Sequence, residues 1–131
     1  MAKMRKSLAV LTIFVASLCV PPRSEARDLQ IAAAVGAQVR VFSHIRLGRR
    51  CGPGAIPEMT IVESPKLGKL STTVEDVTLT SPDFGTCAPG AVGPGKVVYY
   101  TAQTSGRDSF HYRMSSPGLP TTDWVVTVDV R

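Results

Sequence analysis

Hydrophobic and polar residues alternate with a period of two along much of the chain after residue 26, which is typical of half-buried β-strands. The clearest alternation predicts strands at residues 39–47, 109–114 and 123–131. Weaker patterns predict strands at residues 29–34, 59–63, 70–73, 77–80 and 96–101. Seven or eight short strands joined by Gly- and Pro-rich segments favour an all-β fold, a single antiparallel β-sandwich.

The same alternation predicts which side chains face inward. The expected interior consists of residues on four strands: Val39, Val41, Ile45, Leu47, Val98, Tyr100, Phe110, Tyr112, Met114, Trp124, Val126, Val128 and Val130. His44 and His111 fall on the polar faces of their strands, where we expect solvated side chains rather than metal ligands. Phe42 shares the polar face of its strand with His44.

The first 26 residues have the pattern of a cleaved signal peptide. Lys3, Arg5 and Lys6 precede an apolar run over residues 8–20, which is shorter than the roughly 20 residues of a membrane helix. Small residues at 24 and 26 predict cleavage after Ala26, so residues 27–131 form one domain. The alternative is a lipoprotein anchored at Cys19, although Leu18 is larger than the small residue expected before a lipid-bearing cysteine.

Most of the excess positive charge belongs to this leader. Of the chain's 15 basic and 10 acidic side chains, 4 and 1 lie before residue 27, so the remaining chain has a net charge of +2 instead of +5. A high isoelectric point that reflects a targeting segment gives little support for a nucleic-acid partner.

Without Cys19, the chain has two cysteines, Cys51 and Cys87. In an exported protein such a pair predicts a disulfide, which for a loop of this length stabilises the fold by about 3 to 4 kcal/mol. The bridge would join the turn-rich loops 48–57 and 81–95. Two free thiols or metal ligands are the alternative.

Candidate chemistry is sparse in this sequence. Zinc-type spacing of Cys and His and a nucleophile elbow are missing, so we expect no catalytic residue, no metal and no cofactor, and a protein that is not an enzyme. Arg46, Arg49 and Arg50 form the one basic cluster, with Arg40 nearby. The cluster is either a solvated loop or a contact for an anionic partner.

Several motifs in the C-terminal half are shared with a known class of module. Gly95, the Val-Tyr-Tyr-Thr strand at 98–101, Gly-Arg-Asp-Ser-Phe-His-Tyr at 106–112 and the Val-x-Val-x-Val strand at 126–130 resemble bacterial Ig-like or cadherin-like modules. The segment 63–70 is similar to the Pro-x-x-Gly-x-Leu hairpin of such modules. The resemblance implies a single Ig-like antiparallel β-sandwich of about seven strands, without calcium, because the chain has no Asn and no second repeat.

The matched residues have structural uses. Gly106 is suited to a backbone conformation closed to other residues, and Asp108 is suited to accept hydrogen bonds from nearby backbone amides in a turn. Tyr99 and the loop 103–107 are left for solvent or a partner.

These features together predict a small exported, non-catalytic interaction or structural module of the bacterial cell envelope, periplasmic or secreted. Its expected partner is a protein or an envelope polysaccharide, not a nucleic acid. The alternative is a secreted inhibitor or small-ligand binder that uses loops 48–57 and 81–95. We also expect the last strand, which reaches Arg131, to form a sheet edge that is able to pair with another chain.

Overall fold

The computed structural model describes residues 26–80, 87 and 89–131. The predicted signal peptide, except for its last residue, and Cys19 lie outside the described residues. The described residues form seven strands: β1 Ala26–Ala33, β2 Gln38–Ile45, β3 Glu58–Glu63, β4 Gly68–Thr78, β5 Val92–Ala102, β6 Gly106–Ser115 and β7 Thr122–Val130. A single 3-10 turn, Arg49–Cys51, follows β2. No helix in this part of the chain is long and apolar enough to cross a membrane.

The strands form two sheets, in the orders β1-β7-β6-β3 and β2-β5-β4. β1 runs parallel to β7, and every other pair of neighbours is antiparallel. The predicted all-β, sandwich-like fold is confirmed at this level. The strands predicted at 70–73 and 77–80 are one strand, because residues 74–76 stay in register with β5. Residues 92–95, predicted as loop, belong to β5.

The main core lies between the two sheets. Tyr100 and Val98 of the three-stranded sheet pack with Phe110, Tyr112 and Trp124 of the four-stranded sheet, and all five side chains are buried. The Tyr100 and Phe110 rings stack with centroids 5.7 Å apart, and the Tyr112 and Trp124 rings stack at 6.2 Å. The predicted inward positions on β5, β6 and β7 are therefore confirmed.

A second hydrophobic cluster lies on the outer face of the three-stranded sheet. It consists of Ile45, Val77, Leu79 and Val97, all buried. Val97 precedes Val98 on β5, and successive side chains of a strand point to opposite faces, so this cluster is separate from the main core. Cys87 and Ala91 are among the residues that pack against it, so described residues of the segment between β4 and β5 help to cover this outer face.

A β-bulge in β2 changes the predicted faces of that strand. Arg40 pairs with Tyr99 and Phe42 pairs with Val98, so Val41 is an extra residue without a partner in the ladder. The bulge turns Phe42 and His44 toward the main core and Ile45 toward the second cluster. The prediction that Ile45 shares the face of Val41 is therefore wrong, and so is the prediction of a solvated His44, which is 8% exposed.

The last strand is not a sheet edge. β7 lies between β1 and β6 and is hydrogen-bonded to both, and it ends at Val130. The expected free edge near Arg131 is therefore wrong, because the parallel pairing of β1 covers it. The edges are β1 and β3 in one sheet and β2 and β4 in the other.

Asp108 accepts a hydrogen bond from the nearby Ser109 amide, as predicted, and it also holds the turn between β3 and β4, which its motif does not predict. Its carboxylate accepts hydrogen bonds from the backbone amides of Lys66 and Leu67, each at 2.9 Å, and from the Tyr100 hydroxyl at 2.8 Å. Burial by itself would raise the pKa of Asp108, but these bonds together hold it below its ordinary value. Gly106, two residues earlier, has a φ of +134°, a conformation that L side chains rarely adopt.

Candidate functional site

Several chemically distinctive residues gather at one end of the sandwich, where β2 and β4 end and β1 and β7 begin. We call it the disulfide end, because Cys51 and Cys87 are joined there by a disulfide with Cα atoms 5.5 Å apart. The predicted pairing is confirmed. It ties the turn after β2 to the segment between β4 and β5.

The turn that follows β2 is closed by backbone hydrogen bonds. The Gly48 amide donates to the Gly52 carbonyl at 2.8 Å, and the Gly54 amide donates to the Arg46 carbonyl at 3.1 Å. Within it, Arg50 and Cys51 both have a φ of 59°. The left-handed conformation costs a non-glycine residue about 1 to 2 kcal/mol. This basic turn is therefore a defined, strained structure beside the disulfide.

Arg49 and Arg50 are both exposed on that turn, and Arg46 is half-buried at its start. The structure thus brings the three predicted arginines to one end of the molecule. Arg40, considered as a fourth member, does not join them. It pairs with Tyr99 on the outer face of the three-stranded sheet, where its charge acts on Glu75.

The sequence did not identify a further arginine at this end, Arg27. In the parallel register of β1 and β7, Arg27 lies opposite Trp124, and its guanidinium carbon is 5.5 Å from the centroid of the indole ring. This distance is within the range of a cation–π interaction. The parallel pairing of residues almost a hundred positions apart leaves no local pattern, so only the sheet topology reveals this contact.

His44 lies beneath the arginines, inside the sandwich. Its ring contacts Phe42 and Trp124 at centroid distances of 5.0 and 5.1 Å, and its Nε2 atom is 2.9 Å from the Tyr112 hydroxyl. Burial lowers the pKa of His44 to about 4, and the charges of Arg46 and Arg27 lower it in the same direction. His44 is therefore neutral at neutral pH. The positive charge of this end therefore comes from arginines, one of which, Arg27, lies against the Trp124 ring.

Two other arginines of the protein have acidic partners. Arg113 forms two hydrogen bonds with Asp123, at 2.6 and 3.3 Å, and Arg131 lies 3.0 Å from Asp129. Within the described part of the chain, no ion pair involves the four arginines of the disulfide end, which are Arg27, Arg46, Arg49 and Arg50. We call these four residues the arginine cluster. It is the part of this surface best suited to an anionic partner.

Asp123 and His111 form a separate polar group on the four-stranded sheet. Asp123 is buried and is held by Arg113, while His111, predicted as solvated, is half-buried with its Nε2 atom 3.6 Å from the same carboxylate. This carboxylate is the counter-ion of a guanidinium. Among residues 26–80, 87 and 89–131, no group of three His, Cys, Asp or Glu side chains is arranged to hold a metal ion.

A surface depression of about 470 Å³ lies away from the disulfide end. Its lining residues are Gln30, Ile31, Ala32, Arg107, Thr127 and Asp129. It differs in position from the small-ligand site expected at loops 48–57 and 81–95. Residues 81–86 and 88 of the second loop lie outside the described residues.

This chain was compared with protein-family models, curated proteins and solved structures. Neither a scan against protein-family models nor a search of the curated proteins gave a match. A search of solved structures found similarity to the solution structure of Amebosin, with a TM-score of 0.43 and 18% sequence identity, covering 81% of this chain and 96% of that chain. A similarity at this level carries no argument about fold or function.

Proposed function

We propose that residues 27–131 are an exported, non-catalytic Ig-like module of the bacterial cell envelope that binds an anionic partner through the arginine cluster. The partner is an acidic protein surface or an envelope polysaccharide. The observation that carries the proposal is the gathering of four arginines at one end of the sandwich, none paired with an acidic side chain among the described residues.

The strand order supports the Ig-like part of the proposal. In an immunoglobulin-type sandwich, strands B, E and D are neighbours in one sheet, and G, F and C are neighbours in the other. The orders β2-β5-β4 and β7-β6-β3 follow that arrangement if the seven strands are lettered A to G. In constant-type immunoglobulin domains strand A belongs to the sheet of strands B, E and D. β1 differs, because it pairs in parallel with β7 in the other sheet.

The rigidity of the basic turn supports a binding role for it. A partner that contacts Arg49 and Arg50 meets a turn already fixed by backbone hydrogen bonds and by the disulfide beside it. A pre-organised turn loses less conformational entropy on binding than a flexible loop. The disulfide also supports export, since such bonds persist in oxidising compartments.

The test is binding of the full chain to envelopes of the native host, measured by co-sedimentation at increasing salt. The variant Arg46→Gln/Arg49→Gln/Arg50→Gln is compared with Arg40→Gln/Arg107→Gln/Arg131→Gln, which removes the same charge elsewhere. We expect the first variant to lose at least about tenfold in affinity, and the second to bind like the wild type. Equal binding by the two variants would exclude the arginine cluster as the contact.

A second candidate function is a secreted inhibitor or small-ligand binder that uses the disulfide-linked loops. The observation that favours it is the bridge itself, which fixes Cys51 of one loop against Cys87 of the other. Substituting Pro53 and Pro89 together by Ser, with the arginines unchanged, distinguishes the two candidates. Loss of binding in this variant alone would favour the loops over the arginine cluster.

A further inference from the structure

The edge strand β4 differs from the edge strands β2 and β3, because it has no bulge. All eleven residues of β4 pair with β5 without a shift of register. By contrast, β2 has a bulge at Val41, and β3 has an irregularity at Val62. Bulges protect edge strands from pairing with other chains, and so does proline, which β4 also lacks. No strand of the described residues covers this edge, so β4 presents a long, regular row of unpaired backbone groups.

Leu70 of β4 packs against the main core, but the middle of the strand is exposed even where its side chains face the other sheet. Residues 71–74 are four consecutive exposed positions. Val74 lies opposite Lys96 in the ladder, on the inner face by strand alternation, and yet it is 54% exposed. Ile61 on the neighbouring edge β3 pairs with the buried Tyr112, and it is 44% exposed. Apolar surface is therefore left uncovered along this side of the sandwich.

The sequence of β4 is complementary to itself when it is read in the antiparallel direction about Thr72. In that register, Lys69 of one copy lies opposite Glu75 of the other. The apolar residues Leu70 and Val74 also lie opposite each other. Every pair occurs twice because of the two-fold symmetry. Opposite charges and apolar pairs placed directly across an antiparallel ladder stabilise it, whereas like charges destabilise it.

The intramolecular contacts of Glu75 hold its carboxylate on the outer face, the face of Lys69. The Tyr99 hydroxyl donates a hydrogen bond to Glu75 at 2.6 Å. Lys69 is exposed, and no ion pair involves it in the described part of the chain. One partner of each expected cross-strand charge pair is therefore already positioned.

We infer that a second copy of this chain pairs with β4, antiparallel and centred on Thr72, so that two three-stranded sheets join into one six-stranded sheet. The pair covers Val74 of each copy with Leu70 of the other. Thr72 lies on the two-fold axis, opposite itself. This interface is separate from the arginine cluster, so the dimer presents two such clusters.

The first experiment measures self-association of the full chain by sedimentation velocity over a wide range of concentration. We expect a concentration-dependent dimer that Lys69→Glu weakens at least about tenfold, since the substitution places two like-charged pairs in the interface. Lys66→Glu, with the same change of charge outside β4, is the matched control and leaves the dimer unchanged. A monomer at every concentration, or equal weakening by both variants, would overturn the inference.

The second experiment tests the register, and it does not depend on how charge affects folding. Directly opposite residues of an antiparallel pair have Cα atoms about 4.5 to 5.5 Å apart, which is within the range of a disulfide. Thr72→Cys is therefore expected to form a 72–72 crosslink between two chains under mild oxidation. Ser71→Cys, one residue away and equally exposed, is expected not to crosslink, because Thr73 lies opposite it. Equal crosslinking by both variants would contradict pairing about Thr72.

Discussion

The two hydrophobic clusters of this protein are built on opposite faces of the same three-stranded sheet, and they are held in different ways. The main core is enclosed between the two sheets, and it contains four aromatic side chains, Tyr100, Phe110, Tyr112 and Trp124. The second cluster has no opposing sheet. It is covered by loop residues, among them Cys87, which the disulfide attaches to the turn after β2.

The disulfide therefore does more than restrict the conformations of the unfolded chain. Val97 is as completely buried as Val98, although it lies on the outer face of its sheet. Its burial depends on covering residues such as Cys87, which the disulfide holds in place, whereas the burial of Val98 depends on the packing of the two sheets. The two clusters should therefore respond differently to reduction.

The largest effect is expected from truncation in the main core. Phe110→Ala removes a ring that stacks on Tyr100 and Tyr112, and the resulting cavity should lower the free energy of unfolding by about 3 to 5 kcal/mol. Equilibrium denaturation in urea measures it. A loss of less than about 1 kcal/mol would mean that the aromatic core is not what holds the two sheets together.

Removing the disulfide should lower the free energy of unfolding nearly as much, and it should also loosen the second cluster locally. Cys51→Ala/Cys87→Ala restores the freedom of the loop in the unfolded chain, at about 3 to 4 kcal/mol. Hydrogen exchange at Val126 in the core should rise only by this global loss, whereas exchange at Leu79, whose amide donates to the Ala91 carbonyl, should rise further through local opening. An equal rise at both sites would contradict independent support of the clusters.

The buried His44 should make stability depend on pH. The unfolded chain binds a proton at the ordinary pKa of 6.5, but the folded chain binds it only at about 4, so the unfolded state holds more protons between these values. The free energy of unfolding should therefore fall by about 3 kcal/mol as the pH decreases from 6.5 to 4. The difference between wild type and His44→Gln isolates this effect. Parallel pH profiles of the two proteins would show that His44 is not responsible.

A matched pair of substitutions compares the clusters directly. Val128→Ala in the core and Val97→Ala in the second cluster remove the same two methyl groups from side chains with no exposed surface, and each should cost about 2 kcal/mol. When the disulfide is removed as well, the cost of Val97→Ala should shrink, while that of Val128→Ala should not change. A double-mutant cycle measures this, and equal coupling of both sites to the disulfide would contradict the comparison.

The smallest effect is expected at the opposite end of the sandwich, which no disulfide holds. Tyr100→Phe removes the hydroxyl that donates to Asp108 and should cost about 1.5 kcal/mol, because the bond is to a charged group that is buried. Urea denaturation measures the loss, and Tyr99→Phe is the comparison, since it removes a less buried hydrogen bond to Glu75 on the outer face. An equal loss in Tyr99→Phe would contradict the expectation that burial makes the bond between Tyr100 and Asp108 the stronger of the two.

Much of the main core was predictable, because strands β6 and β7 alternate between side chains that face the core and side chains that face outward. Phe110, Tyr112 and Val126 are assigned correctly for this reason. The motif around Asp108 predicted a contact with a nearby backbone amide, which is that of Ser109, but not the contacts with the distant amides of Lys66 and Leu67. The disulfide followed from the number of cysteines and the expected compartment.

The errors arise from strand pairing, which the composition of a strand does not reveal. A bulge changes which side chains face the core, and a distant strand changes which strand lies at the edge of a sheet. The bulge at Val41 inverts every later position of β2, so His44 becomes buried and Ile45 leaves the main core. The parallel pairing of β1 places Arg27 over Trp124 and removes β7 from the sheet edge. Neither event has a local signature in the sequence.

The sequence by itself determined the all-β architecture, the inward faces of the C-terminal strands and the pairing of Cys51 with Cys87, because alternation and cysteine number are local or countable properties. Only the tertiary structure decided which strands lie at the edges, which arginines gather at the disulfide end, and that His44 is buried. Those features depend on the register between segments far apart in the chain. Register is fixed by the sum of many packing contacts, which no single stretch of sequence contains.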